Sequence, residues 1–144
     1  MARFVRDPTH WLRRFSPDEW IQLALAEVRR AEAAYARGDG KGGLAGCRRA
    51  AGMALNAALV VSPDESWGRS YVDHVRALAA DASAPEAVRK AARLLLDAQP
   101  PGAPLVTLRA PRSDAKIVEA TRDVMAHGYA LVARAGPLEK EEPS

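Results

Sequence analysis

The chain has 144 residues, 48% hydrophobic, 6% aromatic and 27% charged, which suits one domain around one core. That balance excludes a disordered chain, and no run approaches the roughly 20 continuous apolar residues of a bilayer span. The net charge of +3, with 17 of the 21 basic residues arginine, tilts partner choice towards an anion, without the dense basic stripe of many nucleic-acid domains.

Residues 1–15 form an arm in which Arg3, Arg6, Arg13 and Arg14 face one acid, Asp7, among Phe4, Trp11, Leu12 and Phe15. It reads as a short helical lead-in packed on the domain. A basic, aromatic arm for a partner is the alternative. No apolar run follows its arginines, so no signal peptide is expected, and a soluble, cytoplasmic protein is.

The helical domain is expected over 16–136. Ser16-Pro17-Asp18-Glu19 is a capping box, with Ser16 as N-cap and Pro17 at the first helical position. Phe15 and Trp20 stand where a hydrophobic staple joins them. Trp20, Ala24, Val28, Ala31 and Tyr35 recur at helical spacing up to Gly38, which predicts a first helix over about 17–37. A tight turn over 39–43 leads to a second helix from about 41 or 42 to 61. Its run of Gly46, Ala50, Ala51, Gly52, Ala54, Ala57 and Ala58 marks it as the central helix, because small residues let neighbours approach closely. Cys47 lies within it as core packing. As the only cysteine it excludes an intrachain disulfide and a Cys/His metal cage.

A third helical region begins between Ser66 and Ser70 and carries Val72, Val75 and Leu78. It breaks near 81–83, and Ser83-Ala84-Pro85-Glu86 reads as a second capping box before a segment running to about Ala98. Prolines at 100, 101, 104 and 111 make Gln99–Arg112 a crossover loop, with Leu105–Leu108 a short extended run at most. Ser113 is the expected cap of a last helix over about 114–135, stopped by Gly136-Pro137. The acidic tail, 137–144, is expected to be disordered. The fold class is therefore all-α: an up-and-down four-helix bundle, its third helix whole or broken in two. The expected core includes Trp20, Val28, Tyr35, Leu55, Leu59, Leu78, Leu95, Val124 and Leu131.

Three stretches carry a likeness to a known family. WIQLALAEVRRAEAAYARGD, CRRAAGMALNAALV, and YVDHVRAL with the later LLLDAQPPG resemble the first three helices of the HEPN domain family and the proline-containing loop after them. The likeness covers about 17–135. The chain departs from it at Gly52 and Asn56, where relatives often carry a charged or longer polar residue. The resemblance implies a small helical bundle, often a homodimer, encoded beside nucleotidyltransferases or in stress and defence systems. It also implies a metal-independent ribonuclease chemistry shared by many members, built from an arginine and a histidine four to six residues apart. Histidine moves a proton of the ribose hydroxyl near neutral pH, and arginine holds the phosphate.

Two pairs match that spacing: Arg69 with His74, and Arg122 with His127. So many arginines give about one such match by chance, so spacing alone selects neither pair. In a straight helix, residues five apart point about 140° away from each other. Arg122 and His127 would then converge only across a dimer or at a distorted turn. No glycine-rich phosphate loop, metal-ligand cluster or Ser/His/Asp set is visible, so no cofactor or metal is expected. Two functions follow: a HEPN-like RNA- or nucleotide-binding component or ribonuclease, or a non-enzymatic helical dimerisation and interaction module.

Overall fold

The structure, a computed structural model, describes residues 4–99 and 111–135, with the side chains of 111 and 112 outside that description. Among the described residues every regular element is helical: α1 (Pro17–Ala36), α2 (Gly40–Val61), α3 (Tyr71–Ala79), α4 (Glu86–Asp97) and α5 (Pro111–Arg134). One 3-10 turn, Glu65–Trp67, joins α2 to α3. The all-α class is thus observed, with five α-helices.

Helix α1 starts where its capping box places it. Ser16 Oγ accepts the Glu19 N–H at 3.2 Å, and the Glu19 carboxylate accepts the Ser16 N–H at 2.9 Å. Two donors that the first turn leaves unpaired are satisfied reciprocally. The Phe15 ring meets Trp20 edge-on at 5.0 Å, which closes the staple. Gly38, at φ 84, ends the helix in a conformation other residues avoid, and Asp39 Oδ1 then accepts the Gly42 N–H at 2.8 Å to begin α2.

Helix α2 is the central helix, packing on α1, α3, α4 and α5. Each interior glycine costs about 1 kcal/mol against alanine. Close packing is what the glycines permit. A Cβ on Gly52 would lie 2.3 Å from the Cβ of Tyr71, and one on Gly128 of α5 would lie 2.7 Å from the Ala54 carbonyl oxygen. By length and composition α2 could cross a membrane, but 67% of its most apolar stretch is buried inside this fold. Leu44, Cys47, Ala51 and Leu55 meet Val75 and Leu78 of α3, Ala92 and Leu95 of α4, and Ile117 and Val124 of α5.

Arg48 ties α2 to the far end of α4. Its Nε donates to the Leu95 carbonyl at 2.9 Å, and a terminal nitrogen donates to Ala98 at 2.8 Å and Leu96 at 3.2 Å. These carbonyls have no partner within their own helix. Arg48→Met is expected to cost about 1–3 kcal/mol and Arg48→Lys to recover only part, since an ammonium cannot span the three acceptors as a planar fork does. Urea unfolding of both variants measures this, and an unchanged midpoint for Arg48→Met would count against the cap.

Several expectations need correction. Over its described residues, 4–15, the lead-in is a run of turns, not a helix. Asp7 Oδ1 takes the backbone N–H and hydroxyl of Thr9, and His10 Nδ1 takes the N–H groups of Leu12 and Arg13. Side chains there replace helical partners. The arm still packs on the domain: Phe4 and Leu12 are buried, and Trp20 Nε1 donates to the Leu12 carbonyl at 2.8 Å. Of the two alternatives for the third region, the structure has the broken one, two helices. Its second capping box does not form, because Ser83 gives both its N–H (3.0 Å) and its hydroxyl (2.7 Å) to Asp81 Oδ1, and α4 starts after Pro85 with no side-chain cap. Helix α5 begins at Pro111, so Ser113 lies inside it; proline suits a first turn that needs no N–H partner. Of the nine named core residues, Tyr35 and Leu131 are half-buried and the others buried. Leu105–Leu108, Gly136-Pro137, the tail and most of the crossover lie outside the described residues.

Candidate functional site

The first Arg/His pair is separated by burial. Ser70 Oγ caps α3 by accepting the Asp73 N–H at 3.0 Å, and this turn carries His74 inward. His74 is fully buried, while Arg69 is exposed in the loop before the helix. A substrate at the Arg69 guanidinium would not reach the imidazole. His74 Nδ1 lies 3.0 Å from the Trp67 carbonyl oxygen, so that nitrogen carries the proton and donates it. Nε2 is buried without a protein partner among the described residues. Burial drives the ring's pKa below the ordinary 6.5, against opposing effects from the Trp67 carbonyl and the Asp73 charge.

The second pair sits on two sides of α5, which is regular from Arg122 to His127. Arg122 reaches α1 and pairs with Glu32. His127 is half-buried; burial lowers its pKa, the Arg134 charge lowers it further, and Asp81 in the α3–α4 turn opposes them. Within one chain the two side chains answer to different neighbours.

The Glu32–Arg122 contact lies in a groove of about 670 Å³ between α1 and α5, a size ordinary for a binding site. Tyr35, Ala36, Ala115 and Val118 supply its apolar surface. Among the described lining residues, Glu32, Asp114, Glu119 and Asp123 set four carboxylates beside one arginine. Asp114 stands in the first turn of α5, where a negative charge complements the helix dipole. Glu119 and Asp123 are four apart on one helix, a like-charge spacing that disfavours the helix by a few tenths of a kcal/mol. Among the described residues no cluster of histidines, cysteines and carboxylates is close enough to hold a metal ion.

Sequence reasoning did not single out this groove. The polar faces of α1 and α5 were visible, but not that these faces lie side by side. Nor did it single out Glu27, which is buried between Arg30 (2.9 Å) and Arg49 (2.8 Å). Burial pushes its carboxyl up, yet the hydrogen bonds and charges of the two arginines hold it below its usual range. This ion cluster joins α1 to α2. Gly52 and Asn56, where the chain departs from the family pattern, are both buried. Cys47 is fully buried and its thiol pKa is raised by burial, which suits packing and not nucleophilic attack.

Comparison with known protein families, with characterised proteins and with solved structures finds no match to this chain.

Proposed function

We propose that this domain is a non-enzymatic helical interaction module whose docking face is the α1–α5 groove, and that the groove receives a basic segment with an apolar side from a partner protein. The observation that carries the reading is the sign of the groove. Among the described residues that line it, four are carboxylates and one is an arginine, which pairs with Glu32, on a chain whose net charge is +3. Local potential of that sign attracts lysine and arginine and repels phosphate. Tyr35 and Val118 offer the apolar contact that a helical or extended segment needs.

The finer view of the fold belongs to the same reading. We take α3 and α4 as one broken rod, which with α1, α2 and α5 makes a HEPN-like four-helix bundle in the cytoplasm. The family likeness adds a homodimer and a nucleotidyltransferase as the expected partner class. Val5 and Leu94 are the exposed large hydrophobics among the described residues, so such a dimer would rest on small and polar contacts more than on a broad apolar face.

A ribonuclease is the second reading. It is favoured by His127, which unlike His74 is only half-buried, and by the half-exposed Arg122. It needs two copies, because one regular helix keeps the pair apart.

One set of measurements separates the two. A labelled peptide of alternating lysine and leucine turns, its glutamate counterpart and a single-stranded RNA are titrated against the wild type. The double variant Glu119→Lys/Asp123→Lys is then compared. The interaction module expects binding of the basic peptide alone, weakened about tenfold or more by the charge reversal and by added salt. Equal binding of the acidic peptide, or no effect of the reversal, would sink it. RNA cleavage in chelator that is lost in His127→Ala would establish the ribonuclease instead.

A further inference from the structure

We propose that His74 is a pH-sensitive latch: its neutral ring holds the N-terminal arm on the helical core, and protonation of the ring releases the arm. The latch is an interface between three pieces of chain. From the arm, the Trp11 indole lies against the His74 imidazole, with ring centroids 5.7 Å apart at 32°. From the 3-10 turn, the Trp67 carbonyl oxygen takes Nδ1 at 3.0 Å. From α3, the ring itself is carried in fully buried.

Only one protonation state fits this setting. With Nδ1–H donated to Trp67, the neutral ring exposes a bare nitrogen at Nε2. A second proton would go there, and it would be a charged donor buried with no acceptor among the described residues. A cation over the Trp11 ring gains some attraction, but less than a buried, unpaired charged donor loses.

The surrounding charges do not reverse the balance. Asp73, the carboxylate whose charge raises the ring's pKa, is already shared with Arg76 at 3.2 Å. The arm presents the uncharged Trp11. His10 also stacks on that indole, at 5.9 Å, and its Nδ1 is engaged by the N–H groups of Leu12 and Arg13. Of the other arm charges, Arg6 pairs with Glu19 at 2.6 Å, Asp7 holds Thr9, and the Arg14 guanidinium lies over Phe15 and Trp20.

The sign follows from linkage. Burial lowers the docked ring's pKa below 6.5, so the released state binds the proton better. Docking is complete above about pH 6.5 and is lost as pH falls through that value towards the docked-state pKa. Release of the arm uncovers Trp20, Leu59 and Val60, against which Phe4 and Leu12 pack, but leaves in place the cluster of Leu44, Leu55, Leu78, Leu95 and Val124, which holds no arm residue.

Hydrogen-exchange protection factors of residues 4–15, measured between pH 7.5 and 5.0, test the proposal on the whole protein. The expected result is a fall of at least tenfold in the arm, while α2 and α5 keep their protection. The His74 ring resonance should titrate with the same midpoint in the wild type, which needs no variant. His74→Phe and His74→Gln should both remove the pH dependence of the arm. A wild-type arm that stays protected to pH 5.0 overturns the proposal. So does a midpoint that differs from that of the ring, the same pH response in either folded variant, or loss of α2 protection together with the arm.

Discussion

Replacing Trp20 with alanine is expected to lower the unfolding free energy by about 3–5 kcal/mol, the range for deleting a buried aromatic side chain. Trp20 is 1% exposed and is the largest fully buried side chain of the domain. Its ring is the floor on which the arm rests: Phe15 meets it edge-on, and the Arg14 guanidinium lies 5.6 Å from its centroid. Its Nε1 satisfies the buried Leu12 carbonyl. Alanine therefore opens a cavity and also strands an acceptor, two costs with separate causes. Trp20→Phe divides them, since it keeps an aromatic partner for Phe15 but removes the donor. We expect it to cost about 1–3 kcal/mol. Urea unfolding followed by far-ultraviolet circular dichroism measures both, with an unchanged m-value as the sign that only stability moved. Because a domain of this size is stable by about 5–15 kcal/mol, the alanine variant loses a large share of its stability. A loss below about 1 kcal/mol would mean that Trp20 does not anchor the α1 end of the core.

Gly52→Leu is the second large effect. The Cβ that any side chain adds at this position falls 2.3 Å from the Tyr71 Cβ and 2.6 Å from its Cα. Those atoms belong to the stem and backbone of α3, so no rotamer change relieves the overlap. Either α3 moves off α2 or the helices distort. Even alanine, which should gain about 1 kcal/mol in helix propensity, is expected to destabilise. For leucine we expect a loss of about 3 kcal/mol or more, at the upper end of overpacking costs. The pairing is testable by a double-mutant cycle. Tyr71→Ala keeps the clashing Cβ and should not rescue Gly52→Ala. Tyr71→Gly removes it and should recover part of the loss. Rescue by Tyr71→Ala equal to that by Tyr71→Gly would place the conflict at the ring and overturn this account.

Much of the local structure was readable because its causes are local. Ser16 and Glu19 sit three residues apart, and that spacing is enough to start α1 at Pro17. Small residues at helical spacing marked α2 as central before any partner was known, because only a helix packed on several sides has use for so many positions without side-chain bulk. The same logic failed where two local signals competed. Ser83 could have capped a helix through Glu86, but Asp81, two residues back, took its hydroxyl and its N–H instead. Ser113 looked like a cap because it precedes an amphipathic run, yet Pro111 already opens that helix.

The candidate site shows the boundary most clearly. The sequence alone determined which residues could perform proton transfer and phosphate binding, since that depends on side-chain chemistry and spacing along the chain. It could not determine which of them meet. His74 is withdrawn from solvent by the arm and the Trp67 turn, elements seven and more residues away in sequence. Arg122 is claimed by Glu32, ninety residues away in sequence. The carboxylates of the groove likewise come from α1 and α5, whose adjacency is set by what α2 packs against on each side. Side-chain type and helical period are properties of short stretches and survive in the sequence. Burial, pairing and the sign of a concave surface arise only when distant helices are brought into contact, and here the tertiary structure decided them.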